Sequence, residues 1–127
     1  MFYEPKKGDH GLPKNPFNSL VMPRPIGWIS SLDADGVINV APYSFFNAVC
    51  YRPPTVMFAG GAGPSPDEGG DWSKDSRRNI EATGDFVCNL TTWDTREQMN
   101  QTSASVPPDV DEMALAGLTP EASQMVK

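Results

Sequence analysis

Ile26-Gly27-Trp28-Ile29-Ser30-Ser31, then Leu32-Asp33-Ala34-Asp35-Gly36, then Val37-Ile38-Asn39-Val40-Ala41-Pro42 is the stretch on which the fold turns. Two β-prone runs flank a short polar segment. The aspartates favour a turn by bonding their own backbone, and Gly36 can take the positive φ that a tight reversal requires. This is a β-hairpin, and it points to a β-rich chain.

Tyr43-Ser44-Phe45-Phe46-Asn47-Ala48-Val49 follows as an aromatic segment, stopped by Arg52-Pro53-Pro54; Thr55 to Ala59 then reads as a buried strand joining the same sheet. The stretch from Gly60 to Gly70 is a Gly- and Pro-rich loop. Glycines after a strand can signal a dinucleotide site, but Pro64 and Pro66 leave no room for a helix N-terminus beside them. Asp75 to Thr83 reads as a short helix, with Asp75 or Ser73 as N-cap and Gly84 as its stop. Asp85 to Leu90 alternates like a fourth strand. Thr95 to Thr102 is a polar helix with a thin apolar face, and Asp111 to Leu118 is a second short helix ending at Gly117. Before the hairpin, residues 1–25 carry Pro5, Pro13, Pro16, Pro23 and Pro25, which should prevent any regular helix. They form an extended lead-in, and residues 26–127 form the domain.

At 127 residues the chain has room for one core, and 11 Gly with 13 Pro favour loops and strands over helix. Four strands cannot close a barrel without exposed edges, so the domain is expected to be incomplete at its C-terminus, with a continuation or a partner chain supplying the rest. A net charge of -6 argues against nucleic acid as a partner, because such binding is driven by Lys and Arg displacing counterions. Met1 to Lys7 lacks the apolar core of a signal peptide and no apolar run is long enough for a membrane, so the expected location is cytoplasmic. Cys50 and Cys88 form no CxxC and are expected to be buried thiols; His10, the only histidine, is expected to be solvated, and no metal site is expected.

Arg24-Pro25-Ile26-Gly27-Trp28-Ile29-Ser30-Ser31, Asn39-Val40-Ala41-Pro42-Tyr43-Ser44-Phe45-Phe46-Asn47 and Lys74-Asp75-Ser76-Arg77-Arg78-Asn79 carry the chemistry. Together with Asp111-Glu112-Met113 and Gly117-Leu118-Thr119, they resemble in order and spacing the flavin reductase-like family. The resemblance runs from about Met22 to Thr119. It implies a mainly β domain with short helices, an FMN-binding split β-barrel that works as a homodimer. It also implies that the segments matching Arg24 to Ser31, Ala41 to Asn47 and Lys74 to Ser76 line the flavin.

The residues fit that chemistry. FMN needs hydrogen bonds at its ring edge and a cationic pocket for its phosphate. Backbone amides of Ser30 and Ser31 at a strand end, and of the run Ala41, Pro42, Tyr43 and Ser44 leaving the next strand, could meet the ring edge. Asn47 could both donate and accept there. Lys74, Asp75 and Ser76 would set an ammonium, a hydroxyl and helix N-terminal amides at the phosphate, with Arg24 and Arg77 or Arg78 completing a clamp. Simpler roles compete: Phe45 and Phe46 as core aromatics, Trp28 as core rather than flavin stacker, and the Lys74 to Arg78 charges as a solvated helix face.

The resulting expectation is an oxidoreductase that passes hydride from NADH or NADPH through FMN to an acceptor. The alternative is an FMN-binding electron carrier without catalysis. No side chain need act as acid or nucleophile, since the cofactor performs the redox step and the protein orients it.

Overall fold

The computed structural model describes residues 3–4, 7–61, 67 and 74–126. Its strands are β1 (Gly27–Leu32), β2 (Ile38–Tyr43), β3 (Phe45–Tyr51), β4 (Pro54–Ala59) and β5 (Val87–Asn89). Its helices are α1 (Pro16–Leu20), α2 (Asp75–Thr83), α3 (Arg96–Gln101) and α4 (Glu112–Leu115).

The hairpin forms as the sequence requires. β1 and β2 pair antiparallel from Gly27↔Tyr43 to Leu32↔Ile38. Asp33 closes the turn: its Oδ1 accepts from the N–H of Asp35 at 2.9 Å and of Val37 at 2.8 Å, and Gly36 takes φ 86°. β5 adds to the other side of β1, giving the order β2-β1-β5. As the central strand, β1 buries Gly27, Trp28, Ile29 and Ser31, so its apolar run is nearly continuous instead of alternating. Ile29 and Val40 are fully enclosed, and Trp28, in the core as expected, donates its indole N–H to the buried Thr102 hydroxyl at 3.0 Å.

The aromatic segment departs from expectation. It is itself a strand, β3, and it pairs with β4 in a separate two-stranded sheet; β4 does not join β2-β1-β5. Among the described residues there are therefore five strands, not four. β4 was expected to be buried, yet it is exposed except at Phe58. The ladder carries a bulge between Ala48 and Cys50, which sharpens its twist away from the first sheet. The two sheets meet at Gly27, where an added Cβ would lie 2.4 Å from Phe46 Cδ2. Only glycine lets the Phe46 ring lie flat on β1.

Other expectations change too. A short helix does form in the lead-in: Asn15 Oδ1 caps it by accepting from Phe17 N at 2.9 Å, and Pro16 takes the first helical position, where its missing N–H costs nothing. The N-cap of α2 is Lys74, not Asp75, which is the first helical residue; Ser73 lies outside the described residues, as does most of the 60–71 loop. Gly84 ends α2 at φ 80° as read from the sequence. Both cysteines are exposed, because Cys50 sits by the turn of the outlying β3-β4 ribbon and Cys88 points away from the core of a three-residue strand. His10 is not simply solvated: its Nδ1 accepts from Leu12 N at 3.0 Å and its ring meets Tyr3 edge-on.

Candidate functional site

The chain turns from one sheet to the other at Ser44, which lies outside both ladders. On one side of this corner Tyr43 packs against Phe58 with ring centroids 4.9 Å apart, and Phe58 against Phe86 at 5.4 Å. Past the end of β4, a Cβ added to Gly60 would lie 3.1 Å from Tyr43 Cε1 and 3.5 Å from Lys74 Cδ. The Lys74 stem therefore runs along a cradle that glycine keeps open beside the Tyr43 ring. The residue is exposed, so its ammonium can meet a ligand. Phe45 pairs with Ala59, next to Gly60, and carries the Arg24 guanidinium 5.0 Å from its ring centroid. Arg24, Ser44, Phe45 and Lys74, widely separated in sequence, thus border one corner.

Lys74 also opens α2. The first intrahelical bond runs from Arg78 N to Lys74 O at 3.0 Å, so Lys74 sits at the point where the helix begins. The neighbouring arginines, candidates for the clamp, have acidic partners on α2 itself. Arg77 Nε bonds Glu81 at 2.8 Å on the exposed face, and Arg78 pairs with Asp75 one turn earlier. This pairing also offsets the negative charge of Asp75 at the helix start.

Beneath the corner lies a chain of buried polar groups. Glu112 accepts from Asn39 Nδ2 at 2.8 Å through Oε1 and from Val40 N at 3.2 Å through Oε2. Asn39 Oδ1 in turn accepts from Ser76 Oγ at 2.5 Å. Burial pushes the Glu112 carboxyl above its usual range, with nearby Asp75 adding to the rise and hydrogen bonds to backbone and Asn39 opposing it. Burial likewise raises the Tyr43 phenol, keeping it a donor. The Ser76 hydroxyl was expected at a phosphate, but Ser76 is only 1% exposed and its Oγ is engaged inside with Asn39.

The strand-end amides also need correction. Ser30 is not at a free end: it pairs with Val40 on one side and Val87 on the other, and its Oγ accepts from Asn89 Nδ2 at 3.0 Å. Ser31 is buried under α2, its Oγ 3.3 Å from Asn79 Nδ2. Because Val40 turns its N–H outward to Glu112, the alternation of an antiparallel ladder turns Ala41 inward to β1, and Pro42 has no N–H to give. Of that run, Ser44 has its backbone outside the ladder. Phe46 packs on Gly27, while Asn47 is exposed on β3, its Oδ1 accepting from Ala48 N at 2.9 Å.

The sequence motifs include Glu112, Asn39 and Tyr43 but give their side chains no role, and Gly60 reads there only as the start of a loop. Asn39 and Glu112 are 73 positions apart, so no local pattern joins them. The available signal was an asparagine inside a strand and an acid beside a helix N-cap, two polar residues that a core accepts only when paired.

Two sheets meeting at an aromatic corner, with a helix start held over it by buried polar bonds, define a mainly β protein of the split-barrel class with short helices. A family model described as the flavin reductase like domain matches residues 18–127, and the chain belongs to that family. The solved structure of nitrilotriacetate monooxygenase component B from Bacillus cereus superposes with a TM-score of 0.82 at 29% identity, over 99% of this chain and 59% of that one. A flavin reductase candidate with a split barrel domain from Shewanella frigidimarina gives 0.75 at 25% identity, over 99% and 60%. An uncharacterised Aquifex aeolicus protein is 42% identical over 108 residues, which is 85% of this chain and 53% of that protein. The chain spans about half the length of the curated relatives it matches.

Proposed function

We propose that this chain holds FMN at the Lys74 corner, and that the whole protein uses it to pass reducing equivalents from NADH or NADPH to an acceptor. The observation that carries the reading is the placement of Lys74. Its stem lies in the Gly60 cradle against Tyr43, its ammonium is exposed, and the first turn of α2 follows at once. A cation beside helix N-terminal N–H groups suits a phosphate dianion. Membership in the flavin reductase-like family supplies the flavin.

FMN, when bound, contributes the hydride-accepting chemistry, and no side chain need act as nucleophile. Lys74 and the N–H of Asp75 at the start of α2 hold the phosphate end, with Ser76 fixing that start from inside. Ser44 and Asn47 lie along the turn into β3, where a backbone N–H and a side-chain amide meet the ring edge. Arg24, steadied on Phe45, adds positive charge at the same corner. Ser30, Ser31, Ala41, Pro42 and Phe46 shape the site from behind, through the ladder and the Phe46 contact with Gly27.

We place the protein as a homodimer, in which a second copy covers the β3-β4 ribbon. Val49, Tyr51 and Met57 are 61%, 82% and 50% exposed there, a concentration of apolar surface that isolated domains rarely leave wet. Among the described residues no helix is long and apolar enough to cross a membrane, and we propose a cytoplasmic location.

The test is the visible spectrum of the purified protein, followed by stopped-flow mixing with NADH and NADPH. Flavin bands that bleach rapidly with either nucleotide support the reductase. Bands that bleach only with dithionite leave an electron carrier, and a colourless protein that takes up no added FMN refutes the reading.

A further inference from the structure

We infer that Glu112 is a positioning residue for the phosphate end of the site, acting through Asn39 and Ser76 on the first turn of α2. The inference rests on the flavin reading above and deepens it.

Every link is a hydrogen bond between buried groups. Glu112 is 6% exposed, Asn39 8% and Ser76 1%. One carboxylate oxygen holds the Asn39 amide and the other holds the Val40 N–H, so α4 is fixed to the outer edge of β2 at two adjacent residues. Donating its NH2 to Glu112 sets which way the Asn39 amide faces, and its oxygen is thereby aimed at Ser76. Ser76 is the second residue of α2, two positions after Lys74. The helix start that bears the lysine is therefore tied to the sheet by a polar relay and not by apolar packing, and the residues α2 buries are Ser76 and Asn79.

This arrangement is costly unless direction matters. A buried carboxylate must be desolvated, and an apolar face on α2 would pack against the sheet more cheaply. Hydrogen bonds are directional where apolar contacts are not, so the relay fixes the rotation and height of the α2 start against the Tyr43 corner. A glutamine at 112 keeps the volume but replaces one acceptor oxygen with an NH2 facing a donor. Either Asn39 or Val40 then loses its partner, and the aim of Ser76 is released.

The experiment compares FMN and riboflavin affinities of the unmodified protein, Glu112→Gln, Ser76→Ala and Lys74→Ala, by quenching of flavin fluorescence, with amide hydrogen exchange at residues 78–80, whose N–H groups close the first turn of α2, measured beside it. Glu112→Gln should weaken FMN by about tenfold or more while riboflavin, which lacks the phosphate, changes by less than about twofold. Ser76→Ala, which deletes only the last hydroxyl of the relay, should show the same selectivity and folds with little disturbance. Exchange at 78–80 should quicken in both variants, with or without flavin. Equal losses for the two flavins, or unchanged exchange in the α2 start, would overturn the inference. If Lys74→Ala selectively weakens FMN but Glu112→Gln and Ser76→Ala do not, the relay fails while the flavin site stands. If the unmodified protein binds riboflavin as well as FMN, the phosphate reading fails, and the positioning role with it.

Discussion

Single residues carry sharp consequences here. Gly27 is the point where the second sheet touches the first, and its φ is ordinary, so space alone requires glycine. Gly27→Ala would drive a methyl into the Phe46 ring and should destabilise the fold by about 1–3 kcal/mol, read as a lower urea midpoint at unchanged m-value. Adding Phe46→Leu should recover part of that loss. Glu112 makes a second prediction, in pH. Its folded pKa lies above the ordinary 4.5, so its contribution to stability is whole below that value and is lost as pH rises through the raised one, because the unfolded chain gives up the proton first. Urea melts from about pH 4 to about pH 7 should therefore show unmodified protein losing stability relative to Glu112→Gln as pH rises. A difference that is flat with pH would show that burial does not raise this carboxyl.

At the level of elements, what was legible in the sequence was what short-range chemistry determines. The hairpin could be read because Asp33 and Gly36 encode their own turn, and α2 because Gly84 encodes its own stop. Gly84→Ala, at φ 80° with open space around the new methyl, should cost on the order of 1 kcal/mol through backbone strain alone. Amide exchange quickening in the last turn of α2, and not in β1, would locate that cost. α1 was equally local, since Asn15 before Pro16 is a capping signature, but the prolines around it masked a five-residue helix. β3 was hidden for another reason. Its solvent-facing half is apolar, so the alternation that marks a strand does not appear, and its separation from β1 depends on a bulge at Val49 that no pattern announces. The proposed flavin corner was legible at Lys74, Ser44 and Arg24, whose suggested role needs only a charge or a free backbone. It was not legible at Ser30 and Ala41, because whether a strand amide is free depends on which strands flank it.

The whole molecule is organised around an imbalance. One sheet has a core of Trp28, Ile29, Val40 and Tyr43, whereas the β3-β4 ribbon leaves Tyr51 and Met57 in water. If a second copy covers the ribbon, sedimentation at micromolar concentration should give a dimer, and Met57→Lys, placed on an exposed strand position, should shift it toward monomer without lowering the cooperativity of the melt. A monomeric unmodified chain would remove the dimer from the proposal but leave the flavin corner intact. That corner is where family, geometry and chemistry coincide, and it can be examined without knowing the electron acceptor. The decisive measurement is the titration of FMN and of riboflavin onto the unmodified protein and onto Lys74→Ala. The expected result is a loss of FMN affinity on the order of 1.5–3 kcal/mol, as for a charge-assisted contact, with riboflavin affinity nearly unchanged. Equal loss for both flavins, or no loss for either, would contradict the placement of the phosphate at Lys74.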